Sequence, residues 1–214
     1  MNNVYENNMR FLPILKFWDK YKKIISLLVL TLIGLITFFI INKQINKYQS
    51  EQAALIYNDW QTELLSDEPN IENLNSLLDE FLKSYKKTGY TQLALLEKAN
   101  LDAKLKNYDE ALYNFNELIM LTDGARDNKI FNKISRVSAS RILLSLERYD
   151  EALSMIEKYS LGDTNAPIHE LAGDILFKQG KVNLAINQYE AAEEKYTDQT
   201  SKSIISMKIA SISN

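Results

Sequence analysis

Leu105–Ile119 reads LKNYDEALYNFNELI, Leu146–Tyr159 reads LERYDEALSMIEKY, and Phe177–Ala192 reads FKQGKVNLAINQYEAA. These stretches are variations on one pattern. Tyr-Asp-Glu-Ala-Leu stands at 108–112 and again at 149–153, and Ala111, Ala152 and Ala185 fall 41 and 33 residues apart. A small residue on a helix face lets a second helix come close, and a large residue four positions later fills the groove beside it. Phe115, Ile156 and Tyr189 hold that later position. Asp109 and Asp150 belong at an N-cap or in a first turn, where an acid meets the positive end of the helix dipole. Twelve residues before each alanine stand Ala99, Ser140 and Gly173, the small residues expected on the preceding antiparallel helix. Gly180 supplies the turn in the third hairpin; Asn107 and Glu147-Arg148 serve in the other two.

Working outward, the pattern predicts an all-α chain with three helical hairpins across about residues 91–196. Only 6 Gly and 3 Pro occur in 214 residues, too few turn-formers for an all-β fold. A period near 34 residues with paired helices is the mark of a tetratricopeptide-repeat (TPR-like) α-solenoid. The stretch from Asp123 to Lys129 lengthens the first interval. Upstream, helices are expected over about 45–65, ended by Ser66-Asp67-Glu68-Pro69-Asn70, and over about 71–87, closing at Gly89. A last helix over about 202–212 carries Ile204, Ile205, Met207, Ile209 and Ile212 and should cap the final repeat.

Residues 24–41 read IISLLVLTLIGLITFFII, 18 residues without a charge. At 1.5 Å per residue that is about 27 Å, close to the hydrocarbon thickness of a bilayer. Asn42-Lys43-Gln44 follows in place of a small-x-small cleavage site, so the segment reads as an uncleaved signal anchor. Residues 1–23 hold Arg10, Lys16, Lys20, Lys22 and Lys23 against Glu6 and Asp19, a net of +3 that leaves −6 for the rest. Residues 42–61 hold only Lys43 and Lys47. The positive-inside bias therefore puts the N-terminus in the cytoplasm and residues 43–214 outside it. Phe11, Leu12, Ile14, Leu15, Phe17 and Trp18, interleaved with Lys16 and Lys20, read as an interfacial segment steadying the anchor. The organisation is then a cytoplasmic tail (1–23), a transmembrane anchor (24–41), a membrane-proximal helical pair (42–90), and repeats with a capping helix (91–214).

The residues carry no catalytic pattern. Cysteine is absent, which excludes disulfides, zinc–thiolate sites and cysteine nucleophiles. His169 is the single histidine and falls at a packing position. Phosphate-loop, dinucleotide and nucleophile-elbow motifs are missing. Glu193-Glu194 beside Lys195 reads as a solvated face. The expectation is no enzyme, no cofactor, no small-molecule substrate and, with an acidic body, no nucleic acid. A stacked-repeat fold offers a concave groove for a protein partner. Its candidate residues are Asn100, Lys104, Arg141, Asp174 and Lys178, with Tyr48 and Tyr57 on the membrane-proximal helix as amphipathic contacts. Asn100 and Lys104, one turn apart, resemble part of a clamp for a peptide's C-terminal carboxylate.

One family is resembled more closely than TPR proteins at large: the YfgM-type ancillary subunit of the bacterial Sec translocon. The resemblance runs through Lys16-Phe17-Trp18 to Lys23 before the anchor and Gln52-Ala53-Ala54-Leu55-Ile56-Tyr57 beyond it. It continues in Glu170-Leu171-Ala172-Gly173-Asp174-Ile175-Leu176 with Gln179-Gly180, and in Met207-Lys208-Ile209. It implies a single-pass inner-membrane protein with a periplasmic repeat domain. It also implies the Sec translocon channel and a PpiD-type membrane-anchored periplasmic chaperone as partners. The alternative function is a TPR scaffold in another envelope assembly, for cell-wall synthesis or outer-membrane biogenesis.

Overall fold

The computed structural model describes residues 3–124, 128–160 and 165–212, without the side chains of residues 3–16, Asp19, Lys158 and Ser160. Among the described residues it is helical throughout, as the repeat pattern requires. The elements are α1 (Asn3–Leu64), α2 (Ile71–Ser84), α3 (Gly89–Lys104), α4 (Tyr108–Leu121), α5 (Lys129–Ser145), α6 (Tyr149–Ser160), α7 (Ala166–Lys178), α8 (Val182–Lys195) and α9 (Gln199–Ile212). The chain divides into two compact units, Met1–Gln52 and Ala53–Asn214, the boundary falling within α1.

In the first unit, the apolar run from Ile24 is solvent-facing on all sides, which a soluble protein could not sustain. One helix among the described residues is long and apolar enough to cross a membrane, and this run lies in it. Both of its threonines are answered locally. Thr31 Oγ1 donates to the Leu27 carbonyl at 2.8 Å and Thr37 Oγ1 to that of Ile33 at 2.9 Å. Asn42 Nδ2 donates to the Phe38 carbonyl at 3.0 Å. A hydroxyl that donates to a carbonyl of the preceding turn is satisfied within its own helix, without water. Before the run, Phe17 and Trp18 are exposed, the Phe17 and Tyr21 rings lie 4.8 Å apart, and Lys20 Nζ sits 5.2 Å from the Tyr21 ring centre. The side chains of Phe11, Leu12, Ile14 and Leu15, the rest of the expected interfacial segment, lie outside the described residues.

In the second unit, side-chain caps start the helices. Asn70 accepts from Asn73 N at 3.0 Å, Thr88 from Thr91 N at 3.3 Å, and Asn128 from Phe131 N at 3.2 Å. Gly89 opens α3 and does not close α2, because Thr88 before it is the cap. Asp109 and Asp150 sit in the first turns of α4 and α6.

The three hairpin turns share one geometry. Lys106 (φ 64°), Glu147 (φ 60°) and Gly180 (φ 75°) are left-handed, each just past a helix end. The next amide reaches back to a carbonyl of the last turn: Asn107 to Asp102 at 2.8 Å, Arg148 to Leu143 and Lys181 to Leu176, each at 2.9 Å. This is the Schellman closure. The left-handed residue of the first turn is Lys106, one before the Asn107 expected from the sequence, and in the second it is Glu147.

Small and large residues meet as the pattern requires. Ala99, Ala111, Ser140, Ala152 and Ala185 are all fully buried, with Phe115, Ile156 and Tyr189 packed in beside them. Ser140 Oγ donates to the Ala152 carbonyl at 2.7 Å, so the second close contact is also a hydrogen bond between helices. Gly173 lies against the Tyr189 ring. Each helix packs on its neighbours in sequence, and α3, α5 and α7 also touch in turn, forming one row. The α9 helix packs on α8 and buries Ile205, but Ile204 and Met207 remain 43% and 63% exposed. The cap therefore covers less of its own apolar stripe than the sequence led one to expect, because α8 takes only the face that carries Ile205.

Candidate protein-binding surface

Among the described residues, the row α3, α5, α7 presents exposed side chains. Asn100 and Lys104 are exposed one turn apart on α3, and Arg141 is exposed on α5. Arg141 lines a trough of about 310 Å³ with Lys133, Ile134, Val137, Pro167 and Ile168. Asp174 and Lys178 line a separate cavity of about 420 Å³ with Leu144 and Phe177. Asn100 and Lys104 line neither. The five expected groove residues thus share one row of helices but do not converge on one site.

Two of the expected contacts have structural work instead. Tyr57 is buried, 9% exposed, with its ring 5.3 Å from that of Tyr90 and 6.5 Å from that of Phe81. Its hydroxyl donates to Glu97 Oε1 at 2.8 Å, and Trp60 Nε1 donates to the other oxygen of Glu97 at 2.8 Å. Burial and the Glu97 carboxylate beside it push the Tyr57 hydroxyl up to about 12. Tyr57 therefore belongs to the core, because its helical spacing puts it on the face of Ala53 and Trp60. Tyr48, at 61% exposure, stays on the surface.

Asp174 is the second. Its carboxylate accepts from Tyr189 Oη at 2.8 Å and from Lys208 Nζ at 2.6 Å. Lys208 also donates to Glu170 at 2.8 Å, and Tyr196 Oη donates to the other Glu170 oxygen at 2.6 Å. The Lys208 ammonium sits 5.5 Å from the Tyr189 ring centre. Two carboxylates of α7 are thus tied to the last helix by one cation. Burial alone would lift Glu170, but the hydrogen bonds from Lys208 and Tyr196 outweigh it and hold the carboxyl below its ordinary range. Burial would lower Lys208, and the carboxylates of Asp174 and Glu170 raise it instead.

A further polar cluster lay beyond the repeat pattern. Lys98 Nζ donates to Asp102 Oδ1 at 2.5 Å and Asn114 Nδ2 donates to Oδ2 at 3.0 Å, all three side chains being buried. Lys98 and Asn114 line a cleft of about 490 Å³ together with Asp79, Asp109 and Glu110. Nothing in the spacing of Lys98 and Asp102 distinguishes them from a solvated i, i+4 pair, so only packing reveals their burial. Among the described residues, no group of three His, Asp or Glu side chains could hold a metal.

Helix pairs joined by identical turns and stacked through small residues constitute a repeat solenoid. A sequence pattern described as a tetratricopeptide repeat-like domain matches residues 15–214. The chain belongs to that family. A protein of Aggregatibacter actinomycetemcomitans named "Ancillary SecYEG translocon subunit" is 23% identical over 188 residues, covering 86% of this chain and 87% of that one. With the repeat-like domain, this similarity fits a YfgM-type protein. The solved structure of the "MamA RS-1 ArsTM double mutant" superposes with a TM-score of 0.54 at 17% identity, over 75% of this chain and 94% of that one. At that identity the likeness concerns the tetratricopeptide repeat-like fold alone.

Proposed function

We propose that this protein is a non-enzymatic interaction subunit on the periplasmic face of a bacterial inner membrane. It works beside the Sec translocon and links exported chains to periplasmic folding factors, among them a membrane-anchored chaperone of the PpiD type. The observation that carries the reading is a solenoid with an uncovered row of helices, in a chain that also bears one apolar, all-round exposed helix. The relative named as a translocon subunit supports the translocon as the place of action. The Lys/Arg asymmetry around residues 24–41 supports the orientation. An anchor confines the domain beside other membrane proteins, and the raised effective concentration lets weak groove contacts suffice.

The test is crosslinking in intact membranes followed by identification of the partners, with protease added to spheroplasts alongside. The expected result is translocon and chaperone adducts, with residues 43–214 digested and the tail spared. Protection of residues 43–214 overturns the orientation. Adducts confined to cell-wall or outer-membrane assembly proteins replace this reading with the scaffold alternative.

A further inference from the structure

The body is acidic, but α5 is not. It carries Lys129, Lys133, Arg136 and Arg141 and no acid, whereas α4 beside it carries Asp109, Glu110 and Glu117 and no base. Arg136 is engaged by Asp123, at 3.5 Å, and by Asn132. Lys133 and Arg141 instead stand at either end of the α5–α7 trough. Between them lie Ile134 and Val137, and Pro167 and Ile168 form the opposite wall. Ile130, one turn earlier on the same face, is 70% exposed and Ile134 is 41% exposed. A soluble helix seldom turns two isoleucines outward beside cations without something to cover them.

We propose that this trough binds an extended, acidic segment of a partner protein that places an apolar side chain between two carboxylates. The inference rests on the interaction-subunit reading and adds the chemistry of what is recognised. Lys133 and Arg141 are eight residues apart, about 12 Å along the helix at 1.5 Å per residue. An extended chain covers that distance in about four residues, and its alternate side chains face one way. The fitting pattern is therefore carboxylate, spacer, apolar residue, spacer, carboxylate. The apolar side chain lies on Ile134 and Val137, and each carboxylate meets one cation. The Lys133 ammonium lies 5.7 Å from the centre of the Tyr159 ring, a contact with a ring face that leaves it room for an anion. Arg141 acts on Glu170 electrostatically, but the hydrogen bonds of Glu170 go to Lys208 and Tyr196.

The test uses the full chain in lipid nanodiscs and two fluorescein-labelled probes, one containing Glu-Ser-Leu-Ser-Glu and one containing Lys-Ser-Leu-Ser-Lys. Anisotropy should show the glutamate probe binding more tightly, and binding should weaken as salt rises. Lys133→Glu with Arg141→Glu should weaken it roughly five-fold or more, since each reversal replaces an attraction with a repulsion. Ile134→Ser, at an exposed site, should weaken it while keeping both charges. Equal binding of the two probes, or indifference of the wild-type protein to salt, overturns the proposal; the salt result needs no variant to fold. A photo-crosslinker at Ile134 in membranes separates the two levels of inference. Adducts elsewhere on α3 or α7 but none at Ile134 sink the trough and leave the interaction subunit standing. No protein adduct anywhere on the row sinks both. An adduct of twice the chain's mass assigns the trough to self-association and overturns the external partner.

Discussion

Replacing Gly173 with alanine puts a methyl group into the Tyr189 ring. A Cβ built on Gly173 falls 2.5 Å from Cε1, 2.6 Å from Cδ1 and 3.1 Å from Cγ of that ring. Carbon atoms pack comfortably at about 3.5–4 Å, so the ring must retreat by about 1 Å. It has little room to do so, being 2% exposed and pinned through its hydroxyl to Asp174. Overpacking of this kind costs about 1–3 kcal/mol. Alanine's better helix propensity returns up to about 1 kcal/mol. The net expectation is a loss of about 1–2 kcal/mol, or roughly 2–8 °C in melting temperature for a domain of this size. Far-ultraviolet circular dichroism of the full chain in detergent micelles measures it. Gly89→Ala is the internal control, since nothing lies within 4 Å of its Cβ position, and it should melt at or above wild type. Combining Gly173→Ala with Tyr189→Leu should cost less than the sum of the two single changes, because the smaller side chain relieves the collision. A Gly173→Ala protein that melts like wild type would refute the close approach of α7 and α8 at this point.

Four further outcomes follow from the same geometry. Glu147→Gly, at a left-handed position, should stabilise the second turn by roughly 0.5–1 kcal/mol, read as a higher melting temperature. Asp102→Ala should cost about 3–5 kcal/mol by leaving Lys98 buried without its counter-charge, whereas pairing it with Lys98→Met should recover most of the loss in thermal unfolding. Tyr57→Phe should lower stability by about 1 kcal/mol through loss of the bond to Glu97, without changing which partners are crosslinked. The Glu170 carboxyl is held below its reference value of 4.5, so its stabilising effect is present above that pH and lost as pH falls through and below it. Acid titration followed by hydrogen exchange should therefore free α9 before the rest of the solenoid, and Lys208→Met should abolish that early step.

The parts of the fold legible in the sequence are those where one residue type is demanded by one contact. Alanine at 111, 152 and 185 and the small residues twelve positions earlier announced the hairpins, because a helix crossing tolerates few alternatives there. The left-handed turns were half legible: Gly180 declares itself, but Lys106 and Glu147 adopt the same backbone without glycine's signature. Gly89 misled in the other direction, since a glycine at a helix start looks like one at a helix end until Thr88 is seen to cap. On the candidate surface, exposure could be extrapolated from repeat positions, which placed Asn100, Lys104 and Arg141 in the open. Pairing could not. Asp174 occupies an outward position but is taken up by Lys208, thirty-four residues away, and the Tyr57 hydroxyl meets Glu97, forty residues away. Partners so distant leave no local pattern to read.

The contacts of the solenoid run almost wholly between neighbours in sequence, and this bears on the order of assembly during synthesis. Each hairpin can bury its face as soon as the next one has been made, with no strand or helix awaited from the far end. One exception is the contact between α7 and α9. Until Lys208 has been added, thirty-four residues after Asp174, Glu170 and Asp174 lack their common cation. A chain released before Lys208 would carry the three hairpins and still present two carboxylates without the ammonium that joins them. The lysine of α9 thus closes the contact between α7 and α9 only after the hairpins before it have been made.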